Sequence, residues 1–404
     1  MLTANMDNGK RISLAPYSRK ELLLLKKHSF TCPDCGDFVI LKIGETVVPH
    51  FAHKSLSACF GFSEPESTLH LNAKKELFHW LIQQNESPQM EQYTPDKRQK
   101  ADIFVKNVHG RFAIEYQSSP IALQSMLKRT IGYKSVNIMP QWIFGCTSKN
   151  RKKFTTPITS LKESHLLFLQ YNKQYGFWFP TFTPNTSFLF VFNPFPLSAT
   201  KYIIHSQEYQ KSDLKIPLSP PKYSPKMDKN LFTTIWLKEK NAWLRQKVVS
   251  RKKKRDLFLD LLYKDGYYPY LLPEYIGVPV EFMITIKTHP IIWQYFVWRD
   301  SFIHKKEKDL ITLGDILVKF EQRVKKQFIQ IRQLPLCANI DYRQAVYQYI
   351  QILKRATILI EVKNNTFKLL QGWSPCKSEE EARKKEKGFF LRQKHILKLF
   401  SVKG

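Results

Sequence analysis

The sequence predicts an α/β fold, with an α/β core between a small N-terminal metal-binding knuckle and a mainly α-helical, basic C-terminal domain. Between residues 100 and 117, two segments that alternate apolar and polar residues flank a turn, which is the pattern of a β-hairpin. Residues 64–84 repeat apolar residues with the period of an amphipathic helix. After a proline-rich stretch the chain becomes basic and helical in pattern. The regions this implies are a knuckle at 1–62, the core at 63–150, a strand-rich extension of the core at 151–220 and the C-terminal domain at 226–404.

The composition points to a polyanionic partner. The chain has 404 residues, and 64 lysines and arginines against 34 acidic residues give a formal net charge of +30. The excess of basic residues extends over both halves of the chain, so a charged tail does not account for it. Nucleic acid is the partner that this charge favours.

The sequence predicts a cytoplasmic protein with no membrane segment. No apolar run approaches the roughly 20 residues that a transmembrane helix needs. The run Leu22–Leu25 is followed at once by Lys26 and Lys27, which is not the pattern of a secretory signal. Six cysteines in a chain of this length favour reduced thiols or metal ligation over a disulfide framework.

The N-terminal knuckle is predicted from a Cys-x-x-Cys motif followed by two histidines and a further cysteine. Structural zinc takes four thiolate or imidazole ligands in a tetrahedron, and pairs of ligands a few residues apart suit it. We favour Cys32, Cys35, His53 and Cys59 as ligands of a structural Zn²⁺, with His50 as the alternate. A ribbon without metal is the alternative, and a redox-active Cys-x-x-Cys is less favoured because no βαβ pattern surrounds it.

The predicted helix at 64–84 carries polar residues along the edge of its apolar face. Glu66, His70 and Lys74 follow one another at intervals of four, so they lie along one side of the helix. A helix that packs its apolar face on the sheet would direct Glu66 and His70 towards that sheet. We interpret Lys74 as an ordinary residue at the boundary of the core.

The hairpin brings further acidic residues to the same place. Side chains on a strand alternate between its faces, so Glu115 and Gln117 point the same way. Asp102 on the neighbouring strand can join them, with Lys100 on the same face of that strand. Two carboxylates and an amide on one face of a sheet suit a divalent cation. The alternative is a surface hairpin whose outer face carries acids.

The rest of the core is predicted from the segment after the hairpin. Ser118, Ser119 and Pro120 have the residue types that open a helix. That helix places Arg129 and Tyr133 on one face, where they could grip a phosphate. Residues 137–146 then predict a buried strand, which completes an α/β core.

The second half of the chain is predicted to contain additional strands, a linker and a helical domain. Short apolar and aromatic runs predict strands at 166–169, 175–179, 187–192 and 202–204. The prolines between Pro217 and Pro225 predict a linker. In the C-terminal domain, the basic run 251–255 together with Trp236, Trp243 and Tyr263 could follow a phosphate backbone.

The arrangement of Glu66, Asp102 and Glu115-x-Gln117 resembles the PD-(D/E)XK nuclease fold, which implies a restriction-endonuclease-like core. More specifically, the motif order is similar to that of the competence protein CoiA family. The motifs are Cys-x-x-Cys, His-Phe-Ala-His, Cys, Glu-Ser-x-x-His-x-x-x-Lys, Ala-Asp-Ile, Ile-Glu-x-Gln-Ser-Ser and Arg-x-x-x-Tyr. The resemblance implies a bacterial cytoplasmic protein of natural transformation that acts on DNA.

The resemblance also implies roles for the acidic residues. Asp102 and Glu115 would bind Mg²⁺ (or Mn²⁺) with help from the Tyr116 carbonyl, and Glu66 would hold a water of the metal shell. Gln117 is the departure from the pattern, because the fold usually has lysine there, and glutamine orients water without supplying charge.

Further residues are implied around the substrate. Lys100 or Arg129 would supply the cation that Gln117 lacks. His70, Lys100, Arg129 and Tyr133 are the residues expected to contact the substrate.

Two functions follow from this reading. The first is a metal-dependent nuclease that hydrolyses phosphodiester bonds of DNA during competence and recombination. The alternative is a non-catalytic factor that binds single-stranded or branched DNA and works with recombination proteins. An RNA-directed role stays open on charge alone.

Overall fold

The protein is described by a computed structural model. The residues it describes are 1–45, 47–53, 59, 66–96, 98–221, 228–250, 256–305, 309–370, 372 and 376–393. The chain divides into two compact units. The first unit comprises residues 1–155, 179–191 and 206–222, and the second comprises 156–178, 192–205 and 223–404.

The first unit begins with an antiparallel sheet in which the strand order is β2-β1-β3-β4-β5. Its elements are β1 (Thr3–Met6), β2 (Arg11–Ser13), α1 (Arg19–Leu24), β3 (Phe30–Thr31), β4 (Phe38–Lys42) and β5 (His50–His53). Leu22, Phe30 and Phe51 pack in its core. The Cys-x-x-Cys motif forms the turn between β3 and β4, where Gly36 has a φ of +79°, a conformation that favours glycine.

The helix α2 (Thr68–Gln83) buries an apolar face that includes Ala73, Leu77 and Leu81. Its N-cap is Ser67, whose hydroxyl accepts a hydrogen bond from the His70 N–H. The prediction that the helix includes Glu66 is therefore wrong, because this residue precedes the cap. The predicted start at residue 64 lies outside the described residues.

The core of the first unit contains one end of a larger sheet, where the strand order is β6-β7-β8-β9. Its elements are β6 (Gln89–Met90), β7 (Ile103–Asn107), β8 (Gly110–Gln117), α3 (Leu123–Ser135) and β9 (Met139–Gly145). Strands β7 and β8 form an antiparallel hairpin, and β8 pairs with β9 in parallel through the crossover helix α3. This is the α/β topology that the sequence predicts.

Two boundaries in this core differ from the prediction. Asp102 lies just before β7, which begins at Ile103. Here the Tyr116 N–H donates to the Asp102 carboxylate at 3.0 Å, so a side-chain contact ends the pairing of the two strands. Helix α3 begins at Leu123 and not after Ser118, since Ser119 accepts hydrogen bonds from the Gln117 side chain and does not cap the helix.

The strand-rich segment passes through both units, since β12, β13 and β14 each have residues in both. Its elements are α4 (Ser148–Lys153), β10 (Ile158–Ser160), α5 (Glu163–Leu166), β11 (Gln170–Asn172), β12 (Gly176–Phe182), β13 (Phe188–Pro196) and β14 (Lys201–Tyr209). The strand predicted at 166–169 is wrong. Leu166 ends α5, and the Leu169 N–H closes a turn on the Leu166 carbonyl at 3.2 Å.

The described part of the predicted linker packs on the first unit. Ile216 and Leu218 are buried. The Leu218 N–H also donates a hydrogen bond of 2.8 Å to Gln141. Residues 217–221 therefore do not form a linker, and residues 222–227 lie outside the described part of the chain.

The second unit is helical and includes a small antiparallel sheet with the order β15-β17-β16. Its elements after residue 223 are α6 (Lys229–Ser250), α7 (Leu257–Lys264), α8 (Pro290–Ser301), β15 (Leu310–Thr312), α9 (Leu313–Lys325), α10 (Arg343–Arg355), β16 (Leu359–Lys363), β17 (Thr366–Leu369) and α11 (Glu379–Arg392). None of the described helices is both long enough and apolar enough to cross a bilayer.

The aromatic residues that we expected beside the basic run are engaged inside this unit. The buried Trp236 indole donates a hydrogen bond to the Gly277 carbonyl at 3.0 Å. Trp243 stacks on His289 with ring centroids 3.7 Å apart. Packing therefore accounts for both tryptophans, and the run 251–255 lies outside the described residues.

Candidate functional sites

The N-terminal sheet brings together the thiols and imidazole that the knuckle motif predicts. One ligand atom from each of Cys32, Cys35, His53 and Cys59 lies within 4.8 Å of the others. The Cys32 and Cys59 sulfurs are 3.9 Å apart, close to the roughly 3.8 Å between two thiolates at about 2.3 Å from a tetrahedral zinc. The arrangement therefore suits a metal ion.

The two histidines of the motif differ in their surroundings. Neither ring nitrogen of His53 has a hydrogen-bond partner among the described residues, although both are buried. A buried imidazole without partners is unfavourable, and a metal would satisfy one nitrogen. His50 instead uses its Nδ1 on the Val48 carbonyl at 2.9 Å. The structure thus brings Cys32, Cys35, His53 and Cys59 together, and the alternate ligand His50 lies outside this group.

A second group of potential ligands lies where α2 meets β7. Ligand atoms of Glu66, His70 and Asp102 are all within 4.8 Å of one another. The His70 Nε2 atom is 3.4 Å from Glu66 Oε1 and 3.3 Å from Asp102 Oδ1. These three side chains are about one-sixth exposed. Glu66, just before α2, and His70, within it, therefore converge on Asp102 as the sequence predicts.

A buried lysine sits at the centre of these acids. The Lys74 Nζ atom is 2.7 Å from Glu66, 2.7 Å from Glu91 and 3.7 Å from Asp102. Glu91 is itself held by the Leu2 N–H at 2.8 Å and the Thr3 hydroxyl at 2.6 Å. The interpretation of Lys74 as an ordinary boundary residue is therefore wrong, because its side chain is only 2% exposed and contacts three carboxylates.

The local charges decide the ionisation of this cluster. Burial opposes the charged form of Asp102, but His70, Lys74 and the Tyr116 N–H outweigh burial and hold the pKa of Asp102 well below its usual range. Burial also opposes the charge of Lys74, but the neighbouring acids outweigh it and raise the pKa of Lys74. Burial also opposes the charged form of His70, but the neighbouring acids, chiefly Asp102, outweigh burial and raise the pKa of the imidazole.

Glu115 lies next to this group but belongs to a separate set of contacts. Its carboxylate is buried and accepts hydrogen bonds from the Arg129 guanidinium and the Tyr133 hydroxyl. Burial raises the pKa of Glu115, with Arg129 acting against it and Asp102 adding to it. The predicted Arg129 and Tyr133 pair is therefore on one face of α3, and that face is turned towards a carboxylate.

The structure does not bring Gln117 and Lys100 into the acidic group. The Gln117 side-chain amide donates to the Ser119 carbonyl and hydroxyl at 3.0 and 2.9 Å. The Lys100 Nζ atom pairs with Asp34 at 2.6 Å. Lys74 thus stands among the acids, and Arg129 contacts the neighbouring Glu115.

Sequence reasoning missed the contribution of Glu91, for which no local pattern gives a signal. Glu91 has a φ of +49°, so it lies in a turn, and its partner Lys74 belongs to a helix 17 residues earlier. The spacing of His70 and Lys74 is the available signal for the lysine, since they lie four apart on one side of α2, and Glu66 just before the cap contacts both.

Comparisons with known proteins all relate this chain to one family. Three family models match: "Competence protein CoiA, N-terminal domain" at residues 14–62, "Competence protein CoiA, nuclease-like domain" at 66–219, and "Competence protein CoiA, C-terminal domain" at 232–382. "Competence protein CoiA" of Bacillus subtilis (strain 168) is 26% identical over 372 residues, which cover 91% of this chain and 96% of that protein. No solved structure matches the chain significantly.

Proposed function

Because the chain belongs to the competence protein CoiA family, we propose that it acts on DNA in competence as a metal-dependent nuclease. The observation that carries this proposal is the convergence of Glu66, His70 and Asp102 within the region that matches the nuclease-like domain. Two carboxylates and an imidazole suit a cation. The formal charge of +30 suits a polyanionic substrate.

We propose that Asp102, Glu66 and Glu115 serve a divalent cation, Mg²⁺ or Mn²⁺. The fit rests on the donor set, in which ligand atoms of Glu66 and Asp102 lie close together and Glu66 Oε2 is held 3.2 Å from the Met1 ammonium. Arg129 and Tyr133 would fix the orientation of the Glu115 carboxylate, as outer residues commonly do for metal ligands. The His70 imidazole makes Mn²⁺ the better match, since nitrogen donors favour it over Mg²⁺.

The chemistry follows from the charges that this chain provides. A bound divalent cation supplies Lewis acidity to a phosphoryl oxygen and lowers the pKa of water. Lys74 supplies the positive charge that Gln117 cannot, and it holds Glu66 in a fixed orientation. His70 faces both Glu66 and Asp102, and its Nε2 would be the nitrogen donor to the cation.

A metal-titrated cleavage assay tests the proposed function. The full chain is incubated with linear, nicked and branched DNA in EDTA, Mg²⁺ or Mn²⁺. We expect cleavage with either cation, faster with Mn²⁺, and none in EDTA. Binding of DNA without cleavage in any metal would contradict a nuclease.

That contrary outcome would favour the second candidate function, a non-catalytic DNA-binding recombination factor. The engagement of Gln117 with Ser119 supports this alternative, because the residue in the usual lysine position does not face the acids. Competition between DNA and RNA oligonucleotides for binding would separate DNA-directed from RNA-directed activity.

We also propose that Cys32, Cys35, His53 and Cys59 hold a structural Zn²⁺. The two histidines of the motif provide a matched test. We expect His53→Ala to lose zinc during gel filtration and to melt at a lower temperature, because structural zinc contributes directly to folding free energy. His50→Ala should retain one zinc per chain by elemental analysis. Retention of one zinc per chain by His53→Ala would exclude His53 as a ligand.

A further inference from the structure

Residues 290–370 of the second unit have the element order of a winged helix. Helix α8 is followed by β15, the helices α9 and α10, and the hairpin β16–β17. The first strand pairs with the last, since β15 and β16 both lie antiparallel to β17. This topology is a helix-turn-helix with an added hairpin, although the 326–342 connection between its two helices is longer than the usual turn of three or four residues.

The packing of this module leaves one side of α10 facing solvent. Helix α10 buries its apolar face, including Val346, Tyr349 and Leu353. The Trp293 ring of α8 lies edge-on to Tyr349 at 5.6 Å and to Phe320 of α9 at 6.3 Å, so the three helices share one core. The opposite side of α10 is thereby held in a defined orientation.

The solvent side of α10 has the composition of a DNA-reading surface. Its residues free to face DNA are Arg343, Tyr347, Gln351, Lys354 and Arg355, which are partly or fully exposed. The partly exposed Gln348 is instead hydrogen-bonded to Glu281 and the Phe282 N–H, and the Gln344 side-chain oxygen is buried. The helix contains no acidic residue. Arginine and glutamine are the side chains that make bidentate contacts with base edges in the major groove, and lysine and tyrosine contact phosphates.

Acidic residues form ion pairs with basic side chains near the two ends of α10. Arg343 pairs with Glu321 and Asp341, each at 2.6 Å, and Lys354 pairs with Glu361 at 2.6 Å. Such partly exposed ion pairs are weak and can exchange for phosphates.

We propose that residues 290–370 bind duplex DNA, with α10 in the major groove and the β16–β17 turn near the neighbouring phosphate backbone. The helix has 13 residues and a length of about 20 Å, and the groove is about 12 Å wide, enough to admit an α-helix. The module has 14 basic and 7 acidic residues, so its net charge complements DNA. This site goes beyond the proposed nuclease activity, because it would capture DNA whether or not the chain cleaves it.

Binding of a fluorescent duplex to the full chain, measured in EDTA at several salt concentrations, tests this proposal. We expect Arg343→Ala/Arg355→Ala to raise Kd at least tenfold and to reduce the salt slope by about two, one for each lost phosphate contact. The matched control Lys384→Ala/Lys387→Ala removes the same charge from exposed positions on α11 and should change Kd less than twofold. Gln351→Glu, which places a carboxylate on α10 at almost constant size, should weaken binding in the same way as the arginine variant.

Three outcomes would overturn the proposal. The first is equal affinity of the α10 variants and the wild-type chain. The second is equal competition by single-stranded DNA or duplex RNA, because the major groove of A-form RNA is too narrow for a helix. The third is a change in sedimentation with no change in DNA affinity, which would make α10 a contact between copies of the chain. Because the assay contains no metal, an inactive nuclease would not affect any of these readings.

Discussion

Replacing Asp102 with asparagine is expected to lower metal-dependent DNA cleavage by at least about 10³-fold while DNA binding is retained. The substitution removes a negative charge and keeps the size of the side chain. The remaining amide oxygen can still accept the Tyr116 N–H, so the local backbone should be preserved. Loss of one carboxylate near the phosphate backbone should leave DNA affinity unchanged or slightly higher. Cleavage rates at saturating Mn²⁺ and duplex affinities in EDTA measure the two effects.

Asp96→Asn is the matched control for this prediction. The same chemical change is made six residues earlier, where the carboxylate accepts a hydrogen bond from the Thr94 hydroxyl at 2.5 Å, outside the acidic group. Cleavage by this variant should stay within about twofold of the wild type. If Asp102→Asn cleaves DNA within tenfold of the wild-type rate, Asp102 does not take part in the reaction.

The sequence predicts the architecture of the first unit well because short-range patterns determine it. The alternation in β7 and the helical period of α2 are local, and each follows from the need to bury one face. Strand β8 is instead buried on both faces from Phe112 to Tyr116, which its alternating sequence does not predict. The convergence of Glu66 and His70 on Asp102 then follows from packing α2 against the sheet. The grouping of Cys32, Cys35, His53 and Cys59 could similarly be expected from ligand spacing.

The partners of individual charged side chains could not be predicted in the same way. Lys100 pairs with Asp34, a residue 66 positions earlier in the turn of the knuckle. Lys74 pairs with Glu91, which lies in a turn of no recognisable pattern. A long side chain can reach several acids within a few ångströms, and only the packed backbone decides among them. The winged-helix order likewise needs the pairing of β15 with β17, which joins residues more than 50 positions apart.

Lys74→Met is expected to affect metal binding and catalysis in opposite directions. Removing the buried positive charge makes the group of Glu66, Glu91 and Asp102 more negative, so Mn²⁺ should bind several-fold more tightly. At saturating metal the cleavage rate should nevertheless fall by about 10²- to 10³-fold, because the charge that stabilises the reacting phosphate is lost. A residue that only supported the fold would weaken both properties together. Mn²⁺ titration and single-turnover cleavage of the same preparation measure the two quantities.

The stability of this variant needs its own control, because removing one partner of a buried ion pair costs about 3–5 kcal/mol. The double variant Lys74→Met/Glu91→Gln removes both charges of this buried pair. The amide introduced at position 91 can accept the Leu2 N–H with its oxygen and donate to the Thr3 hydroxyl oxygen with its nitrogen. We expect the double variant to melt closer to the wild-type temperature than Lys74→Met does and to bind Mn²⁺, but to remain inactive. Cleavage by the double variant at the wild-type rate would show that Lys74 serves the fold alone. Weaker Mn²⁺ binding by Lys74→Met would show that the charge of Lys74 does not repel the cation.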